Sequence, residues 1–109
     1  MTVENFANAS GFKTIALPHP EKEIEGVYVG DLLSWVMGRA DAGNLWITIM
    51  SNVNVIAVAS LTDVSAIILA EDVVLDEEVL SVAAAKGVNV LSSTLPVYET
   101  ALAVSHILS

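Results

Sequence analysis

The sequence has no cysteine, which excludes disulfides, thiolate metal sites and iron–sulfur clusters built on its own thiols. It has only 4 cationic side chains in 109 residues, Lys13, Lys22, Arg39 and Lys86, and they are scattered. No basic stripe forms from them, so nucleic-acid binding, which needs several phosphates neutralised, is excluded. The same charge balance disfavours an anionic membrane surface. No apolar run reaches the roughly 18 residues a membrane helix requires. The start, MTVENFANAS, lacks the cationic and apolar regions of a signal peptide, and a cytoplasmic protein is expected. A Walker motif, a dinucleotide fingerprint and a nucleophile elbow are also missing.

Apolar residues are abundant. They make up 54% of the chain and charged residues 16%, where about 45–50% and about 25% are usual. A single domain of this length cannot easily hide so much apolar surface, which predicts a subunit interface and a homodimer. The net charge of −9 keeps copies apart outside the intended contact.

The chain alternates short strands and helices. Thr2 caps a helix over Val3–Ala9 that Gly11 ends, and "FKTIAL" reads as a strand stopped by Pro18-His19-Pro20. "GVYV" is a second strand. Gly30-Asp31 opens a helix in which Leu32, Leu33, Val36, Met37 and Ala40 share one side. Leu45–Met50, apolar without alternation, suits a strand covered on both faces. Asn52 precedes a helix over Val53–Leu61, and "SAIIL" is another central strand. Asp76 caps a helix ended by Gly87, "VNVLS" is the fifth strand, and Pro96 starts the last helix. Its buried stripe is Val97, Ala101, Val104 and Leu108. This order predicts an α/β domain, three-layer α/β/α, with a mainly parallel sheet of four to five strands.

No catalytic constellation is legible, and no catalytic residue, metal site or cofactor is expected. His19 lies between prolines, and His106 falls on the helix face opposite Val97, each without a converging partner. Glu71-Asp72 with Asp76-Glu77-Glu78 has the composition of a magnesium site, but carboxylates at a helix start complement its dipole without any metal. Asp63 reads as a turn-stabilising residue. Trp46 belongs in the core. Trp35, about 60° off the apolar centre of its helix at 100° per residue, is either core or the anchor of a partner.

Three segments resemble the DRTGG domain family. "GVYVGDLLSWVM" is similar to the strand and first helix of its small stand-alone members. "LWITIMSNVNVIAVAS" resembles the stretch in which the family's Asp-Arg pair follows a strand. "SAIILAEDVVLDEEVLSVAAAKGVNVLSSTLPVYETA" resembles the part in which an "ILTGG" turn leads into a helix, a strand and a last helix start. The resemblance spans residues 1–109 as a single domain and is strongest over 26–101. It implies the fold found at the amino end of HPr kinase/phosphorylase and, more distantly, of Mur ligases. In larger members the domain accompanies phosphotransacetylase or CBS domains, its role is regulatory, and some stand-alone versions lie beside iron-hydrogenase genes. The kinase half with its P-loop is absent here.

The signature residues differ. The Asp-Arg pair falls on Ser51 and Asn52, and Thr-Gly-Gly on Ala70, Glu71 and Asp72. Losing the arginine removes a bidentate anion donor. Two carboxylates in place of two glycines remove easy positive-φ geometry and repel phosphate. Ser51 and Asn52 are then helix-capping residues. Two functions follow as expectations. One is a non-catalytic regulatory or assembly domain that works as a homodimer, with Trp35 at an interface, and docks to a redox or metabolic enzyme. The other is a sensor of a neutral or cationic small molecule at the carboxyl ends of the strands, near Ser51, Asn52, Asn54, Ala70, Thr94 and Tyr98.

Overall fold

The computed structural model describes residues 1–109. Thr2 begins the first helix, α1 (Val3–Ser10), by accepting a hydrogen bond from Asn5 N at 3.1 Å, and Gly11 ends it at φ 71°. The chain continues through β1 (Lys13–Ala16), β2 (Gly26–Val29), α2 (Leu33–Arg39), β3 (Asn44–Thr48) and α3 (Val53–Thr62). It finishes with β4 (Ala66–Leu69), α4 (Glu77–Ala85), β5 (Val90–Ser92) and α5 (Val97–Leu108). The five strands form one sheet in the order β1-β5-β4-β3-β2, with β2 to β5 mutually parallel and β1 antiparallel to β5. The mainly parallel α/β sheet expected from the alternation is what forms.

β3 and β4 lie at the centre, and every residue in them is buried. Side chains alternate across a strand, so two cores result. On one face Trp46, Ile67, Leu69 and Val90 pack under α2, α3 and α4, with Val36, Val55, Ile56, Ala59, Val79 and Ala83. On the other, Leu45, Ile47, Ala66, Ile68 and Leu91 pack against Val3 and Phe6 of α1 and Val104 of α5. The Trp46 indole N–H, buried with its ring, donates to Gly30 O at 2.8 Å, so the polar end of the ring is satisfied.

Several details differ from the expected pattern. The strand predicted over Leu45–Met50 ends at Thr48, because Asp31 draws the chain aside: its carboxylate accepts from Thr48 Oγ1 at 2.6 Å and from Ile49 N at 3.0 Å. Thus engaged, Asp31 does not open α2, whose N-cap is Leu32. Leu32 and Met37, assigned to the buried side of that helix, are exposed, and only Val36 is fully buried. Trp35 is outside the core at 52% exposure, with the Arg39 guanidinium 3.8 Å from its ring centroid. Asp76 occupies the N-cap of α4 but makes no side-chain cap bond.

Candidate functional site

Because β2 to β5 run parallel, the turns after β3, β4 and β5 gather at one end of the sheet, where ligands of open α/β folds bind. The turn after β4 is knitted into its neighbours. Ala70 N donates to Thr48 O at 3.0 Å, Glu71 N to Leu95 O at 2.8 Å and Asp72 N to Ser93 O at 2.9 Å. Glu71 and Asp72 sit at φ 62° and 58°, and Val73 N closes back on Ala70 O at 3.3 Å. Two central residues at positive φ are the pattern of a type I′ turn, which glycine adopts without steric cost. Here the hydrogen bonds to Leu95 and Ser93 hold two carboxylate residues in it. The Glu71 carboxylate in turn accepts from Val97 N, the first residue of α5, at 3.2 Å.

This arrangement decides what the turn can do. The N–H groups that a backbone nest would offer an anion are spent on carbonyl oxygens. The positive end of α5, where an anion would be favoured, already faces the protein's own carboxylate. Neither feature depends on a ligand.

The residues proposed for a small-molecule site divide between the two faces of the sheet. Asn52 is the N-cap of α3, its Oδ1 accepting from Asn54 N at 3.0 Å and Val55 N at 3.3 Å. Ser51 precedes it and Asn54 lies exposed in the first turn. All three stand with the α2-α3-α4 layer. Tyr98, 69% exposed, projects from α5 on the opposite face. Ala70, between them, is fully buried and has no surface for a ligand. Thr94 lines a cleft of about 340 Å³ together with Ser10, Lys13, Asp72 and Ser92, and the other five line none of the principal clefts.

Three features escaped the sequence pattern. Asp31 ties the end of β2 to the end of β3, as described. Asn89, almost fully buried, accepts from His19 N at 2.9 Å and donates to His19 O at 2.7 Å and Ser65 O at 2.9 Å. It locks the Pro18–Pro20 loop to the sheet, and the one signal in the sequence is a polar residue between two apolar ones, Val88-Asn89-Val90. Third, two of the four cations scattered in sequence, Lys22 and Lys86, meet in space beside His19. His19, Lys22 and Lys86 line a cleft of about 300 Å³ with Ser60 and Asp63 at the amino end of the sheet. Lys22 Nζ lies 2.7 Å from Asp63 Oδ1, while Asp63, at φ 55°, forms the C-cap of α3. Nearby, a backbone hydrogen bond and then the His19 imidazole hold the Glu21 carboxyl below its usual pKa. Nowhere do three histidine or acidic side chains converge on one point, and no helix is long and apolar enough to cross a membrane.

Comparison with known proteins adds to this geometry. None of the curated proteins matches the chain. Among solved structures, the fold is similar to the CBS and DRTGG domains of the regulatory region of Clostridium perfringens pyrophosphatase, solved with its activator, diadenosine tetraphosphate. The TM-score is 0.73 at 13% identity, and the match covers 94% of this chain but 45% of that one. The family model of the DRTGG domain matches residues 18–107. The chain therefore belongs to the DRTGG domain family.

Proposed function

We propose that this protein is a non-catalytic regulatory and assembly module that works as a homodimer and docks onto a metabolic or redox enzyme. The observation that carries the reading is where seven of its thirteen exposed large apolar side chains lie. Val27 and Val29 of β2, Leu32, Trp35 and Met37 around α2, and Tyr98 and Leu102 of α5 belong to one edge of the sheet and its two flanking helices. Patches of this kind on a small protein mark interaction sites, and Trp and Tyr are frequent anchors in them. The similar DRTGG domain of the pyrophosphatase belongs to a regulatory region, which supports a regulatory role for this one. Native mass spectrometry of protein purified gently from its host tests the reading. A dimer, bare or with a co-purifying enzyme, supports it, and a monomer at micromolar concentration overturns it.

A second reading, a small-molecule sensor, is favoured by the polar cleft that holds Thr94. Lys13 and Asp72 there place both signs of charge beside the hydroxyls of Ser10, Ser92 and Thr94. That lining suits a neutral or zwitterionic molecule better than a polyphosphate, given a net charge of −9. A thermal shift across a metabolite panel, lost in Thr94→Ala, is the expected result. No shift with any metabolite at millimolar concentration removes this reading.

A further inference from the structure

The two edges of the sheet are built differently. At the β1 edge the strand carries Lys13, its pairing with β5 shifts register between Thr14 and Ala16, and Pro18 and Pro20 follow within a few residues. Charge, irregular pairing and proline are the devices by which proteins blunt an edge. The β2 edge has none of them. Its sequence is Gly-Val-Tyr-Val, its pairing with β3 runs in unbroken register, and its other side is bonded to no strand.

The surroundings of that edge are also distinct. On the α5 side Val27 and Val29 are 41% and 46% exposed, because α5 covers the middle of the sheet and stops short of β2. Val27 faces a cleft of about 390 Å³ whose other wall is Ala101, Ser105, Leu108 and Ser109. None of these side chains is charged. In a molecule of net charge −9, a cleft lined by no charged side chain is where a second molecule of the same charge can approach closely.

We propose that the occupant of this edge is a second copy of the chain, with β2 pairing antiparallel to β2 of its partner to make one ten-stranded sheet. The inference rests on the homodimer reading above and specifies its geometry. In an antiparallel pair, every second pair of opposed residues exchanges both hydrogen bonds, so two identical strands present identical bonding. A two-fold interface requires that self-complementarity. A two-fold axis normal to the sheet also keeps each face on its own side. The bare flank of one α5, with Tyr98 and Leu102, then meets the same flank of the other, and α2 meets α2.

Successive backbone N–H groups alternate in direction along a strand. Glu25 N donates inward to Gly43 O, so the amides of Gly26 and Tyr28 point outward at the free edge. The test combines sedimentation velocity with amide hydrogen exchange on the full chain. The variants are Val27→Glu, which sets two carboxylates near the axis, and Leu61→Glu, a control on the 73% exposed position of α3. The expected result is a dimer for the wild type and Leu61→Glu, and a monomer with native circular dichroism for Val27→Glu. Exchange at Gly26 and Tyr28 is expected to be about tenfold or more slower in the dimer than in that monomer. If Val27→Glu does not fold, Val29→Glu takes its place, at a site slightly more exposed. A wild-type dimer whose Gly26 and Tyr28 amides exchange as fast as a free edge overturns strand pairing and leaves the homodimer reading standing. A monomeric wild type overturns both.

Discussion

The two helical layers divide the same sheet unequally. Three helices, α2, α3 and α4, follow the parallel strands and roof one face from β2 to β5, with Trp46 fully buried beneath them. Two helices, α1 and α5, cover the other face, and their core centres on β3, β4 and β5 with Phe6 as its largest buried ring. Consecutive right-handed crossovers between neighbouring strands put α2, α3 and α4 on one side of the sheet. The opposite side is left to the two terminal helices, and two helices do not span five strands. The strand they leave bare is β2. The exposure of Val27 and Val29 thus has a topological origin.

The comparison is broken or sharpened most strongly in the cores. Trp46→Ala under the three-helix layer and Phe6→Ala under the two-helix layer are each expected to cost about 3–5 kcal/mol in urea unfolding. Both transitions remain single if the layers share one cooperative sheet. A biphasic curve for Phe6→Ala alone would mean that the two-helix layer melts independently. Asn89→Ala is expected to cost about 2–3 kcal/mol, because it strands buried backbone groups of His19 and Ser65. Exchange at the His19 amide should rise in parallel.

Smaller effects come from the helix starts and the turns. Asn52→Ala in one layer and Thr2→Ala in the other each remove a cap worth about 1 kcal/mol. Equal losses in thermal unfolding would show that neither start is supported by anything further. Asp72→Gly relieves a residue held at φ 58° and should raise stability by about 0.5–1 kcal/mol. The smallest effect is at Glu21. Its carboxyl titrates lower when folded than when unfolded, so its contribution is present above its ordinary pKa and fades as pH falls through the lowered one. The difference in melting temperature between wild type and Glu21→Gln is therefore expected to shrink below about pH 4.

Much of this architecture was legible because local signals and tertiary demands agree. Gly26–Val29 is a strand in both pattern and structure, Thr2 and Asn52 cap where capping chemistry places them, and Asp63 ends a helix in a turn conformation. The misses arise where a distant partner decides. Asp31 reads as a helix opener but is captured by Thr48 and Ile49, seventeen and eighteen residues on. Glu71 and Asp72 argue against a positive-φ turn, yet carbonyls more than twenty residues away impose one. Leu32, Trp35 and Met37 fit an amphipathic helix, and nothing within one chain says that part of its apolar surface stays open. The candidate site was hardest for the same reason. Strand-end residues look adjacent in a list of turns, whereas the switch of α5 to the opposite face separates Tyr98 from Asn52 and Asn54.

The two tryptophans make the molecule its own optical instrument. Trp46, dry and hydrogen-bonded to Gly30, emits from an apolar surrounding and changes colour only when the sheet comes apart. Trp35, half in water beneath the Arg39 guanidinium, is open to collisional quenchers and stands on the helix beside β2. Acrylamide therefore samples one ring and denaturant the other. With no added label, a single cuvette distinguishes a chain that has lost its fold from one in which only the surface around α2 has changed.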